Sequence, residues 1–152
     1  MIHTCNQHGF TIEVNDEYQA VPQKNYIKMG MTKDAIEQTL FIFILHQNDN
    51  FDTFSITKDA KFKNDEIALN EGVKLNITIL KESGAIICEE KSATLPSGRK
   101  IKIVLSEING MKFQSIFTSI RGMLICLGME HNPDLKSRNI NILKVIDSIK
   151  LI

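Results

Sequence analysis

Residues 85–130 alternate apolar and polar side chains in short segments, each closed by a turn signal. "AIICEEKSATL" runs into "PSG", residues 96–98, where Pro, Ser and Gly favour a tight reversal. "RKIKIVLSE" sets Ile101, Ile103 and Leu105 against Lys100, Lys102 and Val104. Asn109–Gly110 is the strongest short-range hairpin signal known. "MKFQSIFTSI" then puts Met111, Phe113 and Phe117 on one face with Ser115 between them. Gly122 marks another bend, and "MLICLGME" aligns Met123, Ile125, Leu127 and Met129. Strands joined by such short turns must lie antiparallel as neighbours, so the spacing predicts a four-stranded meander.

The flanking segments supply what covers that sheet. "FTIEV", residues 10–14, reads as a half-buried strand, and Asn15, Asp16 and Pro22 break regular structure after it. "TLFIFILHQ" is apolar on both faces, Phe41, Phe43 and Leu45 against Ile42 and Ile44. That pattern predicts a central strand covered on both sides. Residues 64–83 carry Ile67, Val73, Ile77 and Leu80 near helical spacing, with Asn64 or Asp65 able to cap. Gly72 and the β-branched run "NITIL" oppose that helix. At the far end Asn132 is the expected cap and Pro133 the first helical residue. Leu135, Ile142, Ile146 and Ile149 form one stripe there. Helices segregated from an antiparallel sheet define an α+β chain with helices packed on the sheet faces. Without a Pro/Gly-rich linker or repeat, residues 1–152 read as a single domain. That length buries roughly two-thirds of the unfolded surface and needs no disulfide staples.

Charge narrows the partners. Eighteen Lys plus Arg balance eighteen Asp plus Glu, whereas nucleic-acid binders carry a basic excess or a basic face. The densest basic cluster is "SGRKIK", readable as a solvated strand face or as a patch for a small anion or acidic partner. No nucleic acid is expected. Three cysteines, Cys5, Cys88 and Cys126, lack CxxC spacing and suit free thiols in a reducing compartment. Cys88 and Cys126 sit in apolar runs and are expected in the core. The longest apolar run, "LFIFIL", is too short to span a bilayer, and no leader pattern precedes residue 10. With Met1 as the native start, the expected compartment is the cytoplasm.

His3, Cys5 and His8 are the most chemical-looking cluster. A structural zinc needs a fourth ligand, which His46 or His131 would have to bring. Met-Ile-His also offers a terminal amine, two backbone nitrogens and an imidazole, a square-planar set for Cu(II) or Ni(II). The plainer expectation is polar residues on a mobile terminus. Nucleophilic catalysis needs Ser or Cys oriented by His and a third group, and no such motif is present. Glu89 and Glu90 point to opposite faces of a regular strand, and Asp65–Glu66 suit a helix start. Asp16–Glu17 read as structural too. Phosphate-binding glycine loops are absent. Met29, Met31, Met111, Met123 and Met129 are expected in the core, or else lining an adaptable apolar groove. No residue is assigned to catalysis, to a cofactor or to a metal.

The whole layout resembles the PsbP-like group, which takes in the DcrB-like bacterial proteins and a Ran-binding nuclear import factor. The matching stretches are "GFTIEVNDEYQAVP", "ATLPSGRKIKI", "FQSIFTSIRGMLICLGME" and the closing "VIDSIKLI". Asn15 stands where that group usually has Pro, which leaves the first turn open. The resemblance implies an α/β/α sandwich and an accessory role in binding other proteins, in bacteria near secretion machinery. The expected function is therefore a non-catalytic protein-binding adaptor using one sheet face or a groove beside it. The expected partner is another protein or a second copy of the chain. Two alternatives belong to other classes. A small-molecule or metal-binding protein would show a deep pocket with converging polar groups. An enzyme would show a buried titratable pair in a cleft.

Overall fold

The structure, a computed structural model, describes residues 1–47, 50–130 and 136–152. Four strands follow one another through the middle of the chain: β6 (Ile86–Thr94), β7 (Lys100–Ile108), β8 (Met111–Ile120) and β9 (Met123–Glu130). They pair antiparallel in that order, as the alternation predicts. Asn109 and Gly110 take φ of 53° and 80°, the double positive φ that a tight I′ hairpin requires. Arg121 and Gly122 repeat it between β8 and β9, at 51° and 80°.

Three strands extend the meander. Its sheet has seven strands in the order β3-β4-β5-β9-β8-β7-β6. Here β3 is Gln19–Ala20, β4 is Thr39–Gln47 and β5 is Asn50–Lys61. The strand expected at the centre, β4, lies one place from the edge, beside the two-residue β3. It is still apolar on both sides, with Ile42, Phe43 and Leu45 buried. The centre is β9, whose neighbours are β5 and β8. β5 pairs with a strand about seventy positions away, Ser55 opposite Gly128. A second, three-stranded sheet joins β1 (Ile2–Cys5), β2 (Phe10–Glu13) and β10 (Lys150–Leu151).

Both faces of the large sheet are covered. One carries α4 (Lys136–Asp147) and the small sheet, which meet it in a core that includes Phe10, Ile12, Phe43, Phe54, Ile116, Leu127, Ile142 and Ile146. Each such fully buried side chain contributes roughly 1.5–3 kcal/mol. Ile142, Ile146 and Ile149 are the stripe the sequence predicts. Leu135, Asn132 and Pro133 lie outside the described residues. The opposite face carries a helical stretch over Val104, Phe117 and Leu124. It is built from α2 (Asp65–Ile67), a π-helical turn (Ala68–Gly72) and α3 (Val73–Glu82). A 3-10 turn (Gln23–Asn25) and α1 (Lys33–Gln38) belong to the segment before β4, where Tyr26 is buried. The architecture is thus an antiparallel sheet sandwiched between layers, one of them part helix and part strand.

The helical stretch comes unusually close to the sheet. A Cβ on Gly72 would lie 2.9 Å from Leu124 Cδ2 and 3.0 Å from Phe62 Cε2. Asn64 caps it, its Oδ1 accepting from Ile67 N at 2.9 Å. Among the described residues no helix is long and apolar enough to cross a membrane.

Candidate functional site

The β6–β7 turn borders an open cleft. Leu95 N donates to Arg99 O at 2.9 Å and Gly98 N to Leu95 O at 2.8 Å. Ser97 Oγ and N both donate to Asp147 Oδ1, which fastens the turn to the end of α4. Arg99 therefore sits beside α4 just before β7, which begins with Lys100 and Lys102 opposite Thr94 and Ser92 of β6.

Arg99 is half-buried and acts as a three-way clamp. Nη1 donates to Thr118 Oγ1 at 3.2 Å and Ser119 O at 3.3 Å; Nη2 donates to Ile149 O at 3.1 Å. Burial lowers its pKa, while Asp147 and Asp65 pull the other way. Its Nε is buried without a hydrogen-bond partner. The sequence reading of "SGRKIK" as a solvated strand face fails at this residue, because the partners are supplied by β8 and by the chain after α4.

The start of the helical stretch forms the facing wall. Asp65 Oδ1 accepts from Gly122 N at 2.7 Å, and Asp65 O accepts from Ser119 Oγ at 3.2 Å. Gly122 has no room for a side chain: a Cβ there would sit 2.4 Å from Phe62 O. These contacts hold Asp65, Glu66 and Asn70 across an open cleft of about 900 Å³ from Ser92, Thr94, Lys100 and Lys102. Acidic groups line one wall and ammonium groups the other. None of Asp65, Glu66, Lys100 and Lys102 takes part in a salt bridge among the described residues. Among the described residues, no His or Cys lines the cleft. Its groups can orient a polar, doubly charged segment by hydrogen bonds and Coulomb attraction.

The amino-terminal cluster lies elsewhere and is packed into the fold. His3 is on β1, opposite Ile12 of β2, so the terminus is a paired strand instead of a mobile end. Its ring meets Phe43 edge-on at 4.8 Å and Phe41 at 6.2 Å. Burial first, then the terminal amine, lowers its pKa. That amine donates to Val14 O at 2.8 Å and Asp16 Oδ1 at 2.7 Å. The square-planar set would have to displace those bonds and the β1–β2 pairing. Cys5 is buried, which raises its thiol pKa; burial, then Lys58, lowers that of His8. His131 and the side chain of His46 lie outside what the structure describes. Among the described residues no three His, Cys, Asp or Glu side chains converge.

The cysteines separate. Cys126 faces the helical layer, and burial pushes its thiol up to about 12 although part of the residue reaches solvent. Cys88, expected in the core, is exposed. It falls at an irregularity between Ile87 and Glu89 on an edge strand that extends past its covering layers. The methionines do not form one groove. Met129 and Met123 belong to the α4-side core, Met29 is exposed beside β3, and Met111 is exposed at a hairpin end.

No family model and no curated protein matches the sequence. Solved structures do match the fold. The cyanobacterial PsbP (CyanoP) from Synechocystis sp. PCC 6803 aligns over 100% of this chain and 92% of its own, with a TM-score of 0.64 and 12% identity. The fold is therefore PsbP-like. A Bacteroides thetaiotaomicron protein aligns over 94% of this chain and 45% of its own, at TM-score 0.47 and 8% identity.

Proposed function

We propose that this PsbP-like protein is a non-catalytic accessory module that holds a polar segment of another protein in the cleft between Asp65–Glu66 and Lys100–Lys102. One observation carries the reading: two walls of opposite charge face each other across about 900 Å³ without bridging. Small-molecule pockets are mostly apolar with a few polar groups, whereas charged and hydroxyl side chains line much of this cleft. A chain segment bearing both an acidic and a basic side chain would satisfy both walls. The accessory role also agrees with what resemblance to the PsbP-like group implies.

The test compares tagged wild type with a Lys100→Glu/Lys102→Glu variant of equal melting temperature, each offered to a lysate of the native host. A stoichiometric partner held by wild type and lost by the variant supports the reading. Equal capture by both, or none by either, defeats it.

A further inference from the structure

The seven-stranded sheet ends in the two-residue β3 on one side and the nine-residue β6 on the other. Among the described residues β6 pairs only with β7, and every residue of it except Ile87 is exposed. It contains no Pro. Its outer row of N–H and C=O groups is a template for another strand. Edges of this kind are commonly guarded by charged side chains, lysine above all. Here the guard is mixed, with Glu89, Glu90 and Lys91 in succession.

Glu89 is opposite Leu105 and Lys91 opposite Ile103, so the two share one face of the sheet and flank Glu90. They already approach each other at 3.9 Å. An antiparallel copy of the same strand, placed by a two-fold axis through Glu90, puts Glu89 opposite Lys91 of the second copy and Lys91 opposite its Glu89. Moving the axis to Glu89 or to Lys91 forms no such pair, and the latter sets Lys91 against itself. A shift by half that step turns the side chains to the wrong face. Charge complementarity therefore selects one register. The like pair it leaves, Glu90 against Glu90, lies on the face where Lys102 stands opposite Ser92, next along the strand.

We propose that β6 pairs antiparallel with β6 of a second copy about this axis, joining two large sheets edge to edge into a C2 dimer. The far end of β6, Ser92 to Thr94, also borders the cleft proposed above to hold a partner, whereas Glu89, Glu90 and Lys91 do not line it.

Sedimentation equilibrium tests the proposal. Wild type is expected at twice the 17.2 kDa chain mass. Lys91→Glu sets Glu against Glu at both pairs and should give the single-chain mass. Glu89→Lys combined with Lys91→Glu exchanges the charges and should restore the dimer. In a Cys88→Ser background, Glu90→Cys brings two thiols together at the axis, within disulfide reach for facing strand residues. Mild copper-catalysed oxidation by oxygen, which takes up the two electrons, should link them into a covalent dimer. Wild type that stays single at millimolar concentration overturns the proposal. So does a dimer indifferent to Lys91→Glu, or a Glu90→Cys variant that does not cross-link.

Discussion

Arg99 donates through Nη2 to the carbonyl oxygen of Ile149 at 3.1 Å, tying the start of β7 to residues fifty positions later. The same guanidinium reaches Thr118 and Ser119 of β8. One side chain thereby fixes the relation of the large sheet, α4 and the last strand.

Arg99→Ala should lower stability by about 2–3 kcal/mol, since it strands acceptors that lie away from water. Arg99→Lys should recover little of it, because one ammonium cannot span three acceptors arranged for a planar fork. Urea unfolding checks this: the midpoint should fall in both variants with an unchanged slope.

Gly122 and Gly98 both have positive φ, 80° and 90°, but differ in what a side chain would meet. A Cβ at Gly122 would strike Phe62 O, whereas nothing lies within 4 Å at Gly98. Gly98→Ala should therefore cost only the backbone term, about 1 kcal/mol. Gly122→Ala should cost about 3 kcal/mol or more, because Phe62 N also donates to Gly122 O at 2.7 Å and the backbone cannot step aside. Thermal melts of the two variants should rank them in that order.

The thiols should react in two classes. Cys88 is exposed, while burial raises the pKa of Cys5 and brings Cys126 to about 12. A disulfide reagent at about pH 8 should titrate one thiol in the folded protein and all three after denaturation, the thiolate being the reactive form. The Cys126 shift also sets an alkaline limit. Its folded pKa lies above the ordinary 9.0, so its contribution to stability is complete below 9.0 and is lost as pH rises from there towards about 12. A Cys126→Ala variant should show a shallower alkaline fall in the urea midpoint.

Acid should act through the imidazoles in the opposite direction. His3 and His8 are held below the ordinary 6.5, mainly by burial, so the unfolded chain takes up their protons first. The stability they contribute is present above 6.5 and declines as pH falls below it. His3→Leu keeps an apolar side chain against Phe41 and Phe43 and removes one proton site. The variant should lose less of its urea midpoint than wild type between about pH 7.5 and about pH 5.5. Equal losses would show that His3 packs without sensing pH.

The meander, its turns, the capped helical stretch and the stripe of α4 were legible in the residues, because each is written in contacts a few positions apart. Asn109–Gly110 adopts the two positive φ values its composition suits. Ile142, Ile146 and Ile149 meet one core because 3.6-residue spacing leaves no other way to bury them. β5 illustrates what was missed. Phe54 and Ile56 alternate with Thr53, Ser55 and Thr57, but the strand acquires its place only by pairing with β9, far along the chain. β1 and β10 likewise exist because β2 lies between them.

The candidate site was half legible. "SGRKIK" stood out as the densest basic cluster, yet residue types cannot say which cations face solvent and which are drawn inward. Local periodicity determined the alternating strands and the amphipathic faces. Tertiary structure alone decided that Arg99 turns inward, that Cys88 turns outward, and that Lys100 and Lys102 face two carboxylates. Those outcomes depend on which distant backbone carbonyls lie within hydrogen-bonding reach and on where the covering layers stop, and neither is encoded in a neighbouring residue.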